Sequence, residues 1–298
     1  MRNSSIAAQS GHRPSAKKDI DHKETNAGID KMEAEKQIYI FKENQQDHEH
    51  FRLQLIESAL DESTIANLRE VDIQKGWNCL EIGAGAGSIA SWLGGSVGEN
   101  GSVVSIDKNI KYLGHLKSPV HQVHEQDLMQ FELQQHFDFI HARYVLIHNT
   151  DHDGLLRRIY AMLKPGGFIV LEEPDFTSAK TITNIGRQHQ ERVNRAICKM
   201  FHGFELDPEF GAKLPSCIQQ TGFDIRKVHA IEHLCHGGAP VAKVMAESAI
   251  ALEEKYLATG EADALDIEGF IQNANNPEFW ANYYTTVSVI AVKPYGSW

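Results

Sequence analysis

The chain is short of most features that would settle its class at once. Four cysteines, Cys79, Cys198, Cys217 and Cys235, occur in 298 residues, and none stand at C-x-x-C spacing. They are too few for a disulfide scaffold and wrongly spaced for a zinc ribbon, so free thiols in a reducing compartment are expected. No apolar run approaches the ~18 residues of a membrane span. No basic start followed by an apolar stretch reads as a secretory signal, which leaves the cytoplasm as the expected location. An excess of cations is also missing. The 29 Lys+Arg against 40 Asp+Glu leave a net charge of −11, which argues against a nucleic-acid phosphate backbone as partner. The remaining composition, 42% hydrophobic and 23% charged, is that of a globular protein of one or two domains.

Residues 1–35 contain no aromatic side chain and only isolated aliphatic ones such as Ile6, Ile20 and Ile29. Such a stretch cannot bury enough surface to offset its ordering entropy, so a flexible tail is expected there. Residues 36–298 read as one domain. Phe51, Leu55 and Ala59 recur at helical spacing and predict a lead-in of two or three short helices over about 36–71.

Short apolar strands then alternate with helical segments. The strands are expected at Cys79–Ile82, Ser102–Ile106, Val120–His124, Phe137–His141 and Phe168–Leu171, with Pro165-Gly166-Gly167 as a turn. Helices are expected from Ser88, over Asn109–Leu116 and around Leu155–Leu163. Strands separated by helices imply a doubly wound, mostly parallel α/β sheet. A further helix at Lys213–Gln220, stopped by Gly222, and strands at Asp224–Ile231 and Tyr284–Val292 complete seven strands. The core is thus about 72–175, 211–235 and 284–294. Helical insertions over about 181–205 and 240–280 join the lead-in as a lid.

The first strand runs into Glu81-Ile82-Gly83-Ala84-Gly85-Ala86-Gly87-Ser88. Glycines at such a turn let backbone approach a ligand, and the helix that follows offers free amides. A dinucleotide loop would read G-x-G-x-x-G/A, and Ser88 breaks that pattern. The second strand ends on Asp107, where a carboxylate can accept both hydroxyls of an adenosine ribose. Glu125-Gln126-Asp127-Leu128 follows the third strand. Phe137-Asp138-Phe139-Ile140-His141-Ala142-Arg143 and Leu163-Lys164-Pro165-Gly166-Gly167-Phe168 follow in order.

In this combination the chain resembles the class I S-adenosylmethionine-dependent methyltransferases, and most the ubiquinone-biosynthesis-like group that modifies small molecules. The resemblance spans about Tyr39 to Pro294. It implies a Rossmann-like sheet of seven strands, the last antiparallel, and S-adenosyl-L-methionine as cofactor. It further implies that Gly83, Ala84 and Gly85 pass beneath the methionine moiety, with Glu81 orienting the loop. Asp107 would hold the ribose, with Lys108 and Asn109 beside the adenine. Asp127 and the Leu128 amide would read the adenine edge. Ala142 and Arg143 would lie near the methionine amino group, and Arg52 would pair with its carboxylate.

Ligands of open α/β sheets bind beyond the carboxyl ends of the strands. The acceptor is therefore expected near Tyr144, Glu173, Phe176 and, from the lid, His202. Phe201, Phe204, Phe279, Trp280 and Tyr283 are available to line an apolar pocket. His148 is the candidate base, because an imidazole of ordinary pKa titrates near neutrality. Of the close histidine pairs His48/His50, His121/His124, His148/His152 and His233/His236, only His148/His152 has i, i+4 spacing, without an H-E-x-x-H signature, so no metal is expected. The lid favours a small or medium-sized organic acceptor. A protein or nucleic-acid acceptor, a non-catalytic binding protein and a homodimer are alternatives left open by the residues.

Overall fold

The computed structural model describes residues 46–131 and 136–296. The expected tail at 1–35 lies outside the described residues. Helix α1 spans Gln46–Val71 as one 26-residue element, rather than two or three short ones. Its sequence holds no glycine or proline to break it. Asp72 ends it with φ +56°.

The sheet is built from β1 (Asn78–Ile82), β2 (Ser102–Asp107), β3 (His121–Glu125), β4 (Phe137–Arg143), β5 (Leu163–Asp175), β6 (Lys180–Thr181), β7 (Asp224–His236) and β8 (Trp280–Val292). The order β3-β2-β1-β4-β5-β8 is continued by β7 on the far side of β8. The β3–β2, β2–β1, β1–β4 and β4–β5 pairs are parallel, and β8 runs antiparallel to both β5 and β7. This is the expected α/β sheet of seven strands with its last strand reversed. The two-residue β6 was not anticipated; it pairs with Asn282 and Ala281 of β8 and prolongs the line of β5.

Helix α2 (Ser88–Val97) lays Ile89, Ala90, Leu93 and Val97 against the sheet. Their spacing gives one apolar face. They join Leu68, Cys79, Val103, Phe139 and Val170 in one buried cluster. Helices α3 (His152–Met162) and α5 (Phe210–Thr221) pack together, and both touch β5. The lid consists of α4 (Arg187–Gly203), α6 (Pro240–Ala251), α7 (Glu253–Ala258) and α8 (Ala264–Asn275). Helix α6 touches both α1 and α8, so lead-in and insertions form one helical layer.

Two local expectations fail for identifiable reasons. Asn109–Leu116 is a series of turns, not a helix. The Asn109 side chain accepts the Lys111 amide at 3.1 Å, a local bond that competes with helix formation. Pro165-Gly166-Gly167 is part of β5 rather than a turn before it. Between Phe137↔Leu163 and Phe139↔Phe168, β4 advances two residues while β5 advances five, so the proline–glycine stretch bulges within the strand.

Gly211, in the first turn of α5, lies where a Cβ would fall 2.6 Å from the Glu173 carbonyl oxygen and 2.8 Å from that of Pro174. Backbone cannot yield as a flexible side chain can. Gly211→Ala is expected to destabilise the fold by about 1–3 kcal/mol in urea unfolding. Gly203→Ala, where nothing lies within 4 Å of the added carbon, is the control and is expected to be neutral or slightly stabilising. Equal midpoints for the two variants would contradict the close packing of α5 on β5.

Candidate functional site

The loop after β1 is drawn to β2 by backbone. The Gly83 amide donates to the Ile106 carbonyl at 2.8 Å, and Gly83 and Gly85 adopt φ +68° and +57°. A Cβ at Gly83 would lie 2.3 Å from Val145 Cγ2, so the loops after β1 and β4 meet over a carbon-free position. Asp107, at the end of β2, joins the loops after β1 and β2. Its Oδ2 accepts the Gly85 amide at 2.8 Å and its Oδ1 the Asn109 amide at 2.9 Å. Burial raises its pKa above the ordinary value against the pull of these donors. Each oxygen keeps a second lone pair for a further donor.

Lys108 Nζ lies 2.8 Å from Asp127 Oδ2, so two residues expected around one ring are brought together. Asp127 also accepts the Met129 amide at 2.8 Å. Burial opposes its ionisation, but the Lys108 and Met129 hydrogen bonds and the Lys108 and Arg158 charges together outweigh it and the pKa falls. Leu128 is buried beside them.

Helix α1 closes one side of this crevice. Glu57 accepts the Ser88 amide at 2.9 Å, capping α2 where Gly87 supplies no side chain. Leu53 Cδ2 comes within 3.5 Å of the Cβ position of Gly85. Buried Arg52 makes a two-bond pair with Glu49, at 2.9 and 2.8 Å. The Glu49 charge is felt by Asp107, and the Arg52 charge by His148.

His148 ends a single 3-10 turn, Leu146–His148. Burial, followed by the Arg52 and Lys108 charges, lowers its pKa to about 3. The imidazole is therefore neutral at pH 7, the form a base requires, while its affinity for a proton is lowered. Its supposed partner His152 belongs to α3 and stacks on Phe210 with ring centres 3.6 Å apart. The i, i+4 spacing does not correspond to one helix face. Among the described residues no group of three or more His, Cys, Asp or Glu side chains could hold a metal ion.

Beneath the loops, β1, β4 and β5 carry a buried charge network. His141 is fully buried, with Nδ1 2.8 Å from Glu81 Oε2 and Nε2 3.4 Å from Glu172 Oε2. Glu172 also accepts from Thr64 Oγ1 (2.5 Å), Asn67 Nδ2 (2.9 Å) and Ser288 Oγ (2.7 Å). Burial alone would strip the His141 proton, but the two carboxylates lift its pKa to about 9. Burial likewise opposes the charge on Glu172, yet His141, Arg143 and Thr64 bring its pKa down to about 2. Both Glu81 oxygens lie against His141 Nδ1, at 3.0 and 2.8 Å, beneath the loop after β1 that Glu81 was expected to orient. Arg143 Nη1 and Nη2 each lie 3.0 Å from Asp61 Oδ1, so its charge is already paired with α1. Ala142 is fully buried in the ladder, opposite Ile82 and Leu171.

Sequence reasoning quoted His141 within a motif and placed Glu172 on the acceptor side, but did not join them in a network, and it missed Thr64 and Asn67 of α1. The available signal for the first two was an ionisable residue within or at the end of an apolar strand segment, since such groups are tolerated only with partners.

The acceptor-side expectations divide. Glu173 is a correction. It is fully buried and accepts the amides of Val145, Leu146 and Ile147 at 3.1, 2.8 and 3.1 Å. Its carboxyl is spent on shaping the loop after β4, and burial pushes its pKa up to about 8. Tyr144 sits at φ +58°, with its hydroxyl bonded to that of Thr286. Its ring meets Tyr284 edge-on at 6.0 Å, and Tyr284 lies 5.4 Å from Phe176. Phe176 and His202 share an open groove of about 640 Å³. Of the other aromatics, Phe201, Phe279 and Tyr283 are core side chains, and Trp280 is half-exposed.

A family profile described as a methyltransferase domain matches residues 48–212. The methyltransferase str2 of Strobilurus tenacellus is 27% identical over 169 residues, covering 55% of this chain and 59% of that protein. The ubiquinone/menaquinone biosynthesis C-methyltransferase UbiE of Pseudoalteromonas translucida is 30% identical over 148 residues, covering 47% and 54%. The matches thus span between about half and three-fifths of these curated relatives' length. Among solved structures, a candidate methyltransferase of Bacillus halodurans superposes with a TM-score of 0.53 at 14% identity, over 78% of this chain and all of that one. This likeness establishes the fold.

The charge network has a pH signature. An unfolded histidine titrates near ~6.5, whereas His141 is held to about 9. Its contribution is complete below the lower value and lost as pH rises through the upper one. Glu173, raised to about 8, acts with the same sign. The urea midpoint is expected to fall from neutral pH towards pH about 9. His141→Gln is expected to lower the midpoint at neutral pH and flatten the alkaline end of the curve. An unchanged alkaline slope in that variant would remove the imidazolium from the network.

Proposed function

The chain belongs to the methyltransferase-domain family, and from this premise we propose that it moves a methyl group from S-adenosylmethionine to a small or medium-sized organic acceptor by in-line displacement. The observation that carries the reading is Asp107. Its carboxylate ends β2 within hydrogen-bonding distance of the glycine loop after β1, with lone pairs left for sugar hydroxyls. The carbon-free approach at Gly83 supports the fit, because a side chain there would fill the cradle. When bound, the cofactor supplies the activated methyl on a sulfonium centre.

The protein's part is to bind, align and exclude water. Gly83, Ala84 and Gly85 present backbone to the methionine moiety. Asp107 accepts the ribose hydroxyls, with Asn109 fixing its rotamer. Lys108, paired with Asp127, flanks the adenine beside Leu128. Arg52 and Glu49 bring an ion pair to the same crevice, where Arg52 is the proposed partner of the methionine carboxylate. Arg143 and Ala142 act by holding the loop after β4 rather than by direct charge. His148 serves as a neutral hydrogen-bonding wall. The helical layer of α1, α4, α6, α7 and α8 supports a sheltered small acceptor over an extended polymer. The free thiols support a reducing, cytoplasmic setting.

Calorimetry with S-adenosylhomocysteine tests the cofactor assignment. Asp107→Ala is expected to weaken binding by about 10–100-fold, the worth of hydrogen bonds to a charged group, with an unchanged circular dichroism spectrum. Wild-type affinity in that variant, or no binding by the wild-type chain, would overturn the reading.

A further inference from the structure

The groove beside Phe176 is cationic in an acidic chain. Among the described residues, Lys180, Arg187, Arg195 and Lys199 line it, against the carboxylates of Glu191 and Glu261. Those acids do not cancel the field. Arg187 pairs with Glu191 at 3.2 Å, while Arg195 and Lys199 share the single Glu261 at 3.3 and 3.0 Å. Four positive groups facing two negative ones leave an excess of two, where the whole sequence carries −11.

The groove is also chemically unfinished. Thr181 is 5% exposed, and its hydroxyl has no hydrogen-bond partner among the described residues. Asn194 Oδ1, on the α4 face lining the groove, is likewise buried and unpartnered. Buried polar atoms in native structures are normally satisfied, so two unpartnered ones among the groove's lining residues point to a polar ligand.

The apolar side leads inward. Phe176 lies 5.2 Å from Phe201 and 5.4 Å from Tyr284, which meets Tyr144 in the loop after β4. A volume of about 640 Å³ suits a ligand of moderate size.

We propose that this groove holds the anionic group of the methyl acceptor, an amphipathic organic molecule bearing a carboxylate, sulfate or phosphate, with its apolar body running along Phe176 towards the loop after β4. Arg195 and Lys199 fix the anion and Phe176 fixes the direction of entry. Cys198 lines the same groove but is not a nucleophile, because burial pushes its pKa up to about 11. Identifying the ligand as the acceptor rests on the methyl-transfer reading; the existence of an anion site does not.

The test uses the full chain and two fluorescent probes, anilinonaphthalene sulfonate and phenylnaphthylamine, the same ring system without the sulfonate. The sulfonate is expected to bind, and to bind more weakly as salt is raised. The double variant R195Q/K199Q is expected to weaken it by about tenfold, with little effect on the neutral probe. Both side chains are half-exposed, so the fold is expected to tolerate the change. Lys227→Gln, which alters a surface cation outside the groove, is expected to change neither probe. Equal sulfonate affinity in wild type and double variant, or equal losses for both probes, would overturn the proposal. S-adenosylhomocysteine binding, measured on the same samples, separates the two readings. Its absence with sulfonate binding intact defeats the methyl-transfer assignment alone, whereas cofactor binding without groove selectivity defeats the anion site alone.

Discussion

The crevice at the head of this sheet rests on one proton, held by His141 between Glu81 and Glu172. Removing ionised groups from water is expensive, and their attraction offsets the cost only when the remaining hydrogen-bonding positions are filled. Here Glu172 takes Thr64 and Asn67 from α1 and Ser288 from β8 in addition to the imidazole. The network therefore ties the lead-in helix, two parallel strands and the reversed strand to the Glu81 of β1. Its loss would leave an uncompensated buried charge, an effect worth about 3–5 kcal/mol in comparable cases.

The loops inherit their positions from that layer. Arg143 is two residues beyond His141 on β4, and its pairing with Asp61 draws α1 over the strand ends. Glu173 follows Glu172 and gathers three successive amides of the loop after β4. That loop brings Val145 to Gly83 and His148 within reach of the Arg52 charge. Adjacent acids thus have opposite duties. Glu172 points into the ionic network, where its charge is stabilised. Glu173, equally buried, points at backbone amides, which offset burial less than the ionic partners of Glu172 do, and its pKa rises.

Strands β1 and β2 were legible because each is short, largely apolar and bounded by glycine or acid, so period and punctuation agree. The glycine turn after β1 and the carboxylate ending β2 were legible because both are fixed by local sequence. Other parts depended on distant partners. Nothing near His148 in sequence announces Arg52 or Lys108, whose charges help to suppress its protonation. Glu173 beside Pro174 looks available until the fold turns three amides towards it. The helix expected at Asn109 lost to a side-chain bond two residues long. The continuity of α1 follows from the absence of any glycine or proline within Gln46–Val71.

The two sides of the crevice are made from different materials, and this separates cofactor choice from acceptor choice. The cofactor side uses backbone amides and short acids anchored on parallel strands, which leave little room for variation. The proposed acceptor side uses Phe176 and the exposed face of α4, beyond the end of β5, where a change of side chain disturbs no ladder. Function of this kind resides in the residues placed upon a fold rather than in the fold itself. The positive excess lies on this variable side, away from the glycine loop. In an otherwise acidic molecule such a patch concentrates anions by field focusing. Selection of the acceptor by charge can therefore change through surface substitutions on α4 alone, with the buried proton and the loops it supports left undisturbed.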